Sequence, residues 1–367
     1  HDTFFFSSLA IETLGRLGQF DSRGLSNLAW SFATAGHLDA NLLRALGEHS
    51  ATRISSFQTQ GLANLAWSFA TLRHLEPELF ISIGSEAVDR LADFTEQELS
   101  NLAWAFSAVR YCDKKLLRAI SDEVWARGLE RFSAQGLALL SLALARCCER
   151  SGEGLISAIR DHCLARSSGL EPRQAVHILS ALAMVDRLDS ATFRTLLPER
   201  QSGALLPESL RALFQCALAV ELREGVPAAS LMPKPLWRCC RQHWLHAASG
   251  TKQSLLQHSV GRTLRAMGLP FDAERPTPDG CFSVDLVVRF GGCDVSVEVD
   301  GPHHFSAAPP HEPTGPTLLR RRLLRPRVGA LISVPWTEWE ALTDDGERRA
   351  YLWGRLAAAV PAAEGRW

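Results

Sequence analysis

Hydrophobic and polar positions repeat along the first two-thirds of the chain with a step of 37 to 38 residues. The clearest copies are the strings LSNLAWSFAT at Leu25–Thr34, LANLAWSFAT at Leu62–Thr71 and LSNLAWAFSA at Leu99–Ala108. Fainter copies begin at Leu137, Ala175 and Leu210, with steps of 38, 38 and 35 residues. Similarity at a fixed period of this length is typical of helical arrays, in which each repeat packs only on its neighbours.

Each copy has the spacing of a helix with two apolar faces. Leu25, Leu28 and Phe32 form one stripe, and Trp30 projects about 140° away from Leu25. Such a helix is expected to lie between neighbours. A break at Gly36-His37 precedes a second periodic segment, so the pattern predicts two helices per repeat and an α-solenoid.

A capping pattern marks the start of the first helix in each repeat. A Phe stands five residues before the first Leu in four copies, and a capping residue follows it in three. The Phe residues are Phe20, Phe57, Phe94 and Phe132, and the capping residues are Asp21, Thr95 and Ser133. This spacing predicts a hydrophobic staple, and Glu98 would complete a capping box with Thr95.

Polar residues recur two positions before the first Leu of each copy. They are Arg23, Gln60, Gln97, Gln135 and Arg173, with Glu208 in the last copy. Stacking would bring them into one line, and amide and guanidinium groups in such a line can contact bases or phosphates. An ordinary solvated helix terminus is the alternative.

Two further rows repeat with the same step. We expect Asn27, Asn64 and Asn101 to form a hydrogen-bond ladder between repeats, since buried amides need partners. We expect Trp30, Trp67 and Trp104 to pack in the core, with base stacking as the alternative.

The overall composition indicates a globular protein with no basic excess. The chain has 367 residues, of which 46% are hydrophobic and 22% charged, and its net charge is −1. Residues 1–100 contain 6 Lys+Arg and 12 Asp+Glu, whereas residues 101–250 contain 19 and 14. Any path for a nucleic acid is therefore expected in the middle of the array.

Cysteine spacing excludes a cysteine-based metal site, and hydropathy excludes a membrane-spanning helix. The nine cysteines have no metal-binding spacing, and we expect all of them to be reduced core residues. No apolar run reaches the roughly 18 residues of a membrane helix. Because the first residue is His1, we expect a processed or truncated start from which any targeting peptide has gone.

A different pattern begins near Thr251. A helix over 252–267 is predicted to lead into two strands, 282–290 and 293–300, joined by the hairpin signal Gly291-Gly292. We therefore divide the chain into a helical repeat array (1–225), a linker rich in Pro and Trp (226–250) and a small α/β domain (251–367).

The hairpin sets a register that opposes two acids. Asp285 would face Glu298, with Asp300 on the same side of the sheet. The other side would be apolar, with Val284, Leu286, Val288, Phe290, Val295, Val297 and Val299. Carboxylates about 5 Å apart destabilise a sheet unless a cation, a proton or an arginine partners them. These acids are therefore candidate ligands for a divalent metal, or the remnant of such a site.

Five arginines follow within eight residues: Arg320, Arg321, Arg322, Arg325 and Arg327. Together with Leu319 and Leu323 they predict an amphipathic helix whose apolar side covers the sheet. Its guanidinium groups are candidate phosphate contacts, and a solvated or acid-paired face is the alternative.

The last third of the chain resembles the RAP domain. The motifs are VEVDGPHHF at Val297–Phe305, PTGPTLLRRRLL at Pro313–Leu324 and the later Val334-Pro335-Trp336. The array resembles the heptatricopeptide and octotricopeptide repeats that accompany RAP domains in organellar RNA proteins, including the FAST-kinase-like family. The resemblance implies a mitochondrial or plastid protein that acts in RNA maturation, stability or translation. It also implies protein partners in a ribonucleoprotein or ribosome, where the chain could hold rRNA.

The resemblance further implies a fold similar to the PD-(D/E)xK nucleases. Asp285 and Glu298 match the two acids of that pattern, but Asp300 stands where a catalytic Lys is expected. We therefore expect binding without turnover and no cofactor. The enzyme alternative is an RNA endonuclease that uses Asp285, Glu298 and Asp300 with Mg²⁺ or Mn²⁺, assisted by His303 or His304. A protein-interaction scaffold is the third alternative.

Overall fold

A computed structural model describes residues 3–149, 152–166, 170–197, 205–248 and 253–360. The chain divides into two compact units. The first contains His1–Arg200 and Ser306–Pro310, and the second contains Gln201–Phe305 and His311–Trp367. Among the residues described, no helix is long and apolar enough to cross a membrane.

The first unit is built from helices that alternate between two layers. They are α1 (Thr3–Leu14), α2 (Ser22–Ala35), α3 (Ala40–Ala51), α4 (Thr59–Thr71), α5 (Pro77–Asp89), α6 (Glu96–Ala108), α7 (Lys114–Arg127), α8 (Ala134–Arg146), α9 (Gly152–Leu164), α10 (Pro172–Met184) and α11 (Ser190–Leu196). The even-numbered helices α2 to α10 pack on one another in sequence, and the odd-numbered helices α3 to α11 do the same. The predicted array of two-helix repeats is confirmed.

The caps that begin the first helices are those the spacing predicts. Asp21 and Ser133 accept hydrogen bonds from the backbone N–H groups of Gly24 and Gly136, at 2.7 and 3.1 Å. Thr95 and Glu98 form the full capping box. The staple residues Phe57, Phe94 and Phe132 are buried, so each cap is joined to the core of its repeat.

Hydrogen bonds between repeats come from arginines rather than asparagines. At the ends of α3, α5 and α7, an arginine donates through Nη1 to the carbonyl of the staple Phe 33 residues earlier. The pairs are Arg53 to Phe20 at 3.2 Å, Arg90 to Phe57 at 2.9 Å and Arg127 to Phe94 at 2.7 Å. Each bond satisfies a carbonyl that the helix leaves open.

The predicted asparagine ladder is wrong. Asn27 is exposed, and Asn64 and Asn101 are half-buried. Within the described ranges, their side-chain amides have no hydrogen-bond partner. Since these amides reach solvent, they need no partner within the protein.

One cysteine pair corrects the expectation that every thiol is reduced. Cys112 and Cys147 form a disulfide, with their Cα atoms 5.3 Å apart. They are 35 residues apart, close to one repeat period, so stacking brings their two turns together. The other seven cysteines are not part of a disulfide.

The second unit combines helices with one mixed sheet. Its elements are α12 (Pro207–Glu224), α13 (Lys234–Ala248), α14 (Leu255–Ala266), β1 (Phe271–Pro276), β2 (Ser283–Phe290), β3 (Cys293–Asp300), α15 (Gly315–Leu324), β4 (Ala330–Pro335), α16 (Trp336–Glu340) and α17 (Asp345–Ala359). The strand order is β1-β2-β3-β4, antiparallel except for the parallel pair β3-β4. The small α/β domain is confirmed, and its similarity to the PD-(D/E)xK fold stays a prediction.

The segment expected to be a linker contains a helix, α13. Its prolines lie at the start, where the helix needs no donated hydrogen bond, so they do not prevent it from forming. Trp237 and Trp244 lie 5.0 and 5.7 Å from the ring of Phe214 in α12, and Cys240 is buried. Helix α12, which carries the last repeat copy, groups with the second unit and contacts α13 and α15.

The sheet has one apolar and one acidic face, as its predicted register requires. The hairpin pairs Phe290 with Cys293 and Leu286 with Val297. The apolar face packs with residues of α14, α16 and α17, including the buried Trp339. The opposite face carries the three acids, which meet residues of α15.

Candidate nucleic-acid interface

Three of the acidic side chains on one face of the sheet concern the candidate site. Asp285 comes from β2, and Glu298 and Asp300 from β3. Glu298 and Asp300 are each only 3% exposed. Buried carboxylates at this depth require charge compensation.

Two arginines of α15 supply that compensation. Arg320 contacts both oxygens of Glu298, with Nε 2.9 Å from Oε2 and Nη2 3.4 Å from Oε1. Arg320 Nη2 also donates to the carbonyl of Ser283 at 2.8 Å. Arg321 Nη2 lies 2.7 Å from Asp300 Oδ2 and 2.8 Å from the Ser333 hydroxyl. The sequence leaves open whether these arginines contact phosphates, face solvent or pair with acids. Arg320 and Arg321 pair with acids.

Among the residues that the structure describes, no arginine forms an ion pair with Asp285. Its Oδ2 accepts a hydrogen bond from the Val299 N–H at 2.7 Å. Burial, and then the neighbouring charge of Glu298, raise the pKa of Asp285 to about 7. Burial also raises the pKa of Glu298, and Arg320 opposes this effect. The single guanidinium of Arg320 thus faces two carboxyl groups that interact with each other, Asp285 and Glu298. These two carboxyl groups together can retain a proton near neutral pH.

The two histidines after β3 occupy different environments. His304 is half-buried, with Nδ1 3.5 Å from Asp300 Oδ1, and burial lowers the pKa of its imidazole. His303 is exposed. Of the two histidines that the sequence offers, His304 thus has a contact with an acid of the cluster.

A divalent cation does not fit the acids as they are arranged. In the parts of the chain that the structure describes, no group of three His, Cys, Asp or Glu side chains is positioned to hold a metal. A metal on Glu298 or Asp300 would have to displace the guanidinium of Arg320 or Arg321. The two guanidinium groups therefore occupy the positions beside the acids that a cation would need.

The remaining candidate arginines also differ from one another. Arg327 Nε lies 2.6 Å from Asp279 Oδ2, and its guanidinium lies over the ring of Phe282. Although burial opposes the shift, hydrogen bonds from Thr277, the Cys281 N–H and Arg327 lower the pKa of Asp279 to about 2. Arg322 is half-buried and Arg325 is exposed. Arg320, Arg321 and Arg327 therefore pair with acids of the same unit.

The polar row of the array lies where the sequence predicts. Each member is the second residue of its helix, and all are exposed. They are Arg23 in α2, Gln60 in α4, Gln97 in α6, Gln135 in α8 and Arg173 in α10. Because these helices stack in order, the row offers one amide or guanidinium group per repeat.

The asparagines and tryptophans extend this row along each helix. Gln60, Asn64 and Trp67 are spaced i, i+4 and i+7, so they share a face. The expectation that the tryptophans lie in the core is wrong: Trp30 is 47% exposed, and Trp67 and Trp104 are half-buried. A face with one amide and one indole in each of the first three repeats can hydrogen-bond and stack with bases.

Farther along, a histidine replaces the asparagine. His177 in α10 occupies that position of the repeat. Burial, followed by the charges of Arg173 and Arg146, lowers the pKa of His177 to about 4. The imidazole is therefore neutral at physiological pH and, like an amide, can both donate and accept a hydrogen bond.

Two sets of basic residues are not among the candidates that the sequence pattern predicts. The inter-repeat arginines Arg53, Arg90 and Arg127 recur with an exact 37-residue step, which is a usable signal. Lys234, Arg238 and Arg241 lie exposed on α13, within the segment expected to be a linker. The sequence signal for this second set is that residues 225–271, which surround it, contain no Asp or Glu.

A family comparison agrees with this architecture. Residues 297–353 match the RAP domain, and the matched region runs from β3 through α15 into α17. This match supports RNA binding in general. No curated protein matches the chain.

Proposed function

We propose that this chain, which carries a RAP domain at 297–353, is a mitochondrial RNA-binding protein that acts in RNA maturation, stability or translation. The array contributes a row of polar and aromatic groups along the RNA, and the second unit contributes cationic surface. Binding occurs without turnover. A plastid is the alternative compartment.

The observation that carries the absence of turnover is the neutralised acid cluster. Metal-dependent cleavage needs carboxylates free to hold a cation. In this chain Glu298 and Asp300 hold Arg320 and Arg321 at 2.9 and 2.7 Å. The acids thus orient a helix within the domain.

Two settings suit this proposal. One is a free factor on messenger RNA, and the other is a component of the mitochondrial ribosome that holds rRNA with protein neighbours. Sedimentation of the tagged protein from purified mitochondria distinguishes them. A ribosomal component remains with one subunit after nuclease treatment of messenger RNA, whereas a free factor is released.

The test of binding uses fluorescence anisotropy with a labelled single-stranded RNA. We expect saturable binding whose affinity falls steeply as salt rises from 50 to 200 mM, because phosphate contacts release counterions. An affinity that does not change with salt, or no binding, contradicts the proposal.

The test of turnover uses the same RNA with Mg²⁺ or Mn²⁺. We expect intact RNA on a denaturing gel, with no difference between the wild type and Glu298→Gln. Cleavage by the wild type that Glu298→Gln abolishes would instead show that the chain is a nuclease.

A further inference from the structure

One stretch of the second unit has an unusual charge balance. The 47 residues from Gly225 to Phe271 contain six Lys and Arg and no Asp or Glu. The whole chain, by contrast, has a net charge of −1. This stretch lies outside the residues that match the RAP domain, and it includes all of α13.

The packing of α13 determines which side chains face solvent. Leu236 and Cys240 are buried, and Trp237 and Trp244 pack with Phe214. The opposite side carries Lys234, Arg238 and Arg241, spaced i, i+4 and i+7 and all exposed. These three cations therefore form one stripe along the helix.

The stripe differs from the arginines of α15 in having no acidic partners. In the regions that the structure describes, no carboxylate forms an ion pair with Lys234, Arg238 or Arg241. Like charges one turn apart destabilise a helix, so the stripe brings no benefit to the fold. Its positive charge is available to a ligand.

A groove adjoins the stripe. It has a volume of about 1060 Å³, and its lining includes Arg238, Arg241, Gln242 and His246 together with the half-buried Trp237. Two guanidinium groups, side chains that form hydrogen bonds, and an indole held by Phe214 are the groups that bind phosphates and stack on bases.

We infer that the exposed face of α13 is a binding site for single-stranded RNA. Lys234, Arg238 and Arg241 contact consecutive backbone phosphates, and the groove receives a base. This inference rests on the proposed function and places the main cationic contact of the second unit on α13, outside the RAP match.

The experiment compares two matched double variants of the full chain. The first is Arg238→Gln with Arg241→Gln. The control is Arg44→Gln with Arg73→Gln, which removes two exposed charges from the acidic first part of the array, outside the basic middle region. Affinity for a labelled single-stranded RNA is measured at several salt concentrations, and circular dichroism checks that both variants fold.

Loss of two phosphate contacts reduces the salt slope by about 1.4, at about 0.7 per contact for single strands. The same relation gives roughly 25-fold weaker binding at 0.1 M salt. We expect this loss for the α13 variant and little change for the control.

The possible outcomes separate the two proposals. If the wild type binds RNA and the α13 variant binds equally well, RNA binding stands and the α13 site is wrong; an acidic protein partner of this face would give that result. An equal loss in both variants also overturns the site, since it reports only net charge. If the wild type binds no RNA, the proposed function itself fails.

Discussion

The Arg320–Glu298 pair permits a quantitative test of the acid cluster. Arg320→Met keeps most of the side-chain volume and removes the guanidinium. Glu298, at 3% exposure, then loses both of its contacts with Arg320, and the Ser283 carbonyl loses a donor. Leaving a buried charge without its partner costs about 3 to 5 kcal/mol. We expect the second unit to lose that much stability at pH 8.

The pH dependence identifies the cause of this loss. Without Arg320, the folded-state pKa of Glu298 rises further above its unfolded value. A carboxyl group with a raised folded pKa costs little stability at low pH, and its cost grows as pH rises. The penalty of Arg320→Met should therefore be smaller at pH 5 than at pH 8. Lost packing alone would give the same penalty at both values.

Hydrogen exchange measured by mass spectrometry suits this test, because peptides from β3 and α15 report on their own unit. The variant Arg320→Met with Glu298→Gln serves as the control, and we expect it to recover most of the loss. A penalty below about 1 kcal/mol that does not vary with pH would refute the reasoning, since exposed ion pairs behave in that way.

Three further substitutions test other parts of the structure. Asp285→Asn removes a carboxyl group whose raised pKa lowers stability as pH rises from about 4 to about 7. The free energy of unfolding of this variant in urea, relative to that of the wild type, should therefore increase across that range, and a constant difference contradicts this. Cys112→Ser with Cys147→Ser, or a reducing agent on the wild type, should lower the stability of the first unit by about 3 to 4 kcal/mol, and the serine variant should not respond to the reductant. Arg90→Met should lower the stability measured by thermal unfolding by about 1 to 2 kcal/mol, because it removes the hydrogen bond to the Phe57 carbonyl of the preceding repeat. If replacing an exposed arginine elsewhere lowers stability as much, this hydrogen bond adds nothing.

The elements set by local pattern could be predicted from the sequence. The repeat period and its caps follow from side-chain spacing and from residues such as Asp21 and Thr95, which act within one turn. The hairpin register follows from the two-residue turn at Gly291-Gly292, which leaves one pairing for the strands. The sequence alone therefore predicts that Asp285 and Glu298 lie side by side on neighbouring strands.

Contacts across long sequence separations could not be predicted. Arg320 reaches Glu298 over 22 residues, and that contact depends on how α15 docks on the sheet. The disulfide depends on the shape of two turns in adjacent repeats. Prolines at the start of α13 favour a linker in the sequence pattern, although the first turn of a helix tolerates them.

A map of RNA crosslinks tests the central claim most directly. A photoreactive single-stranded RNA is bound to the full chain and irradiated, and the modified peptides are identified by mass spectrometry. We predict adducts on α13 and on the exposed row at the starts of α4, α6 and α8, and none on the buried acids of β3. If no adducts form on either surface, or if they form only at Glu298 and Asp300, the proposed mode of RNA binding is contradicted.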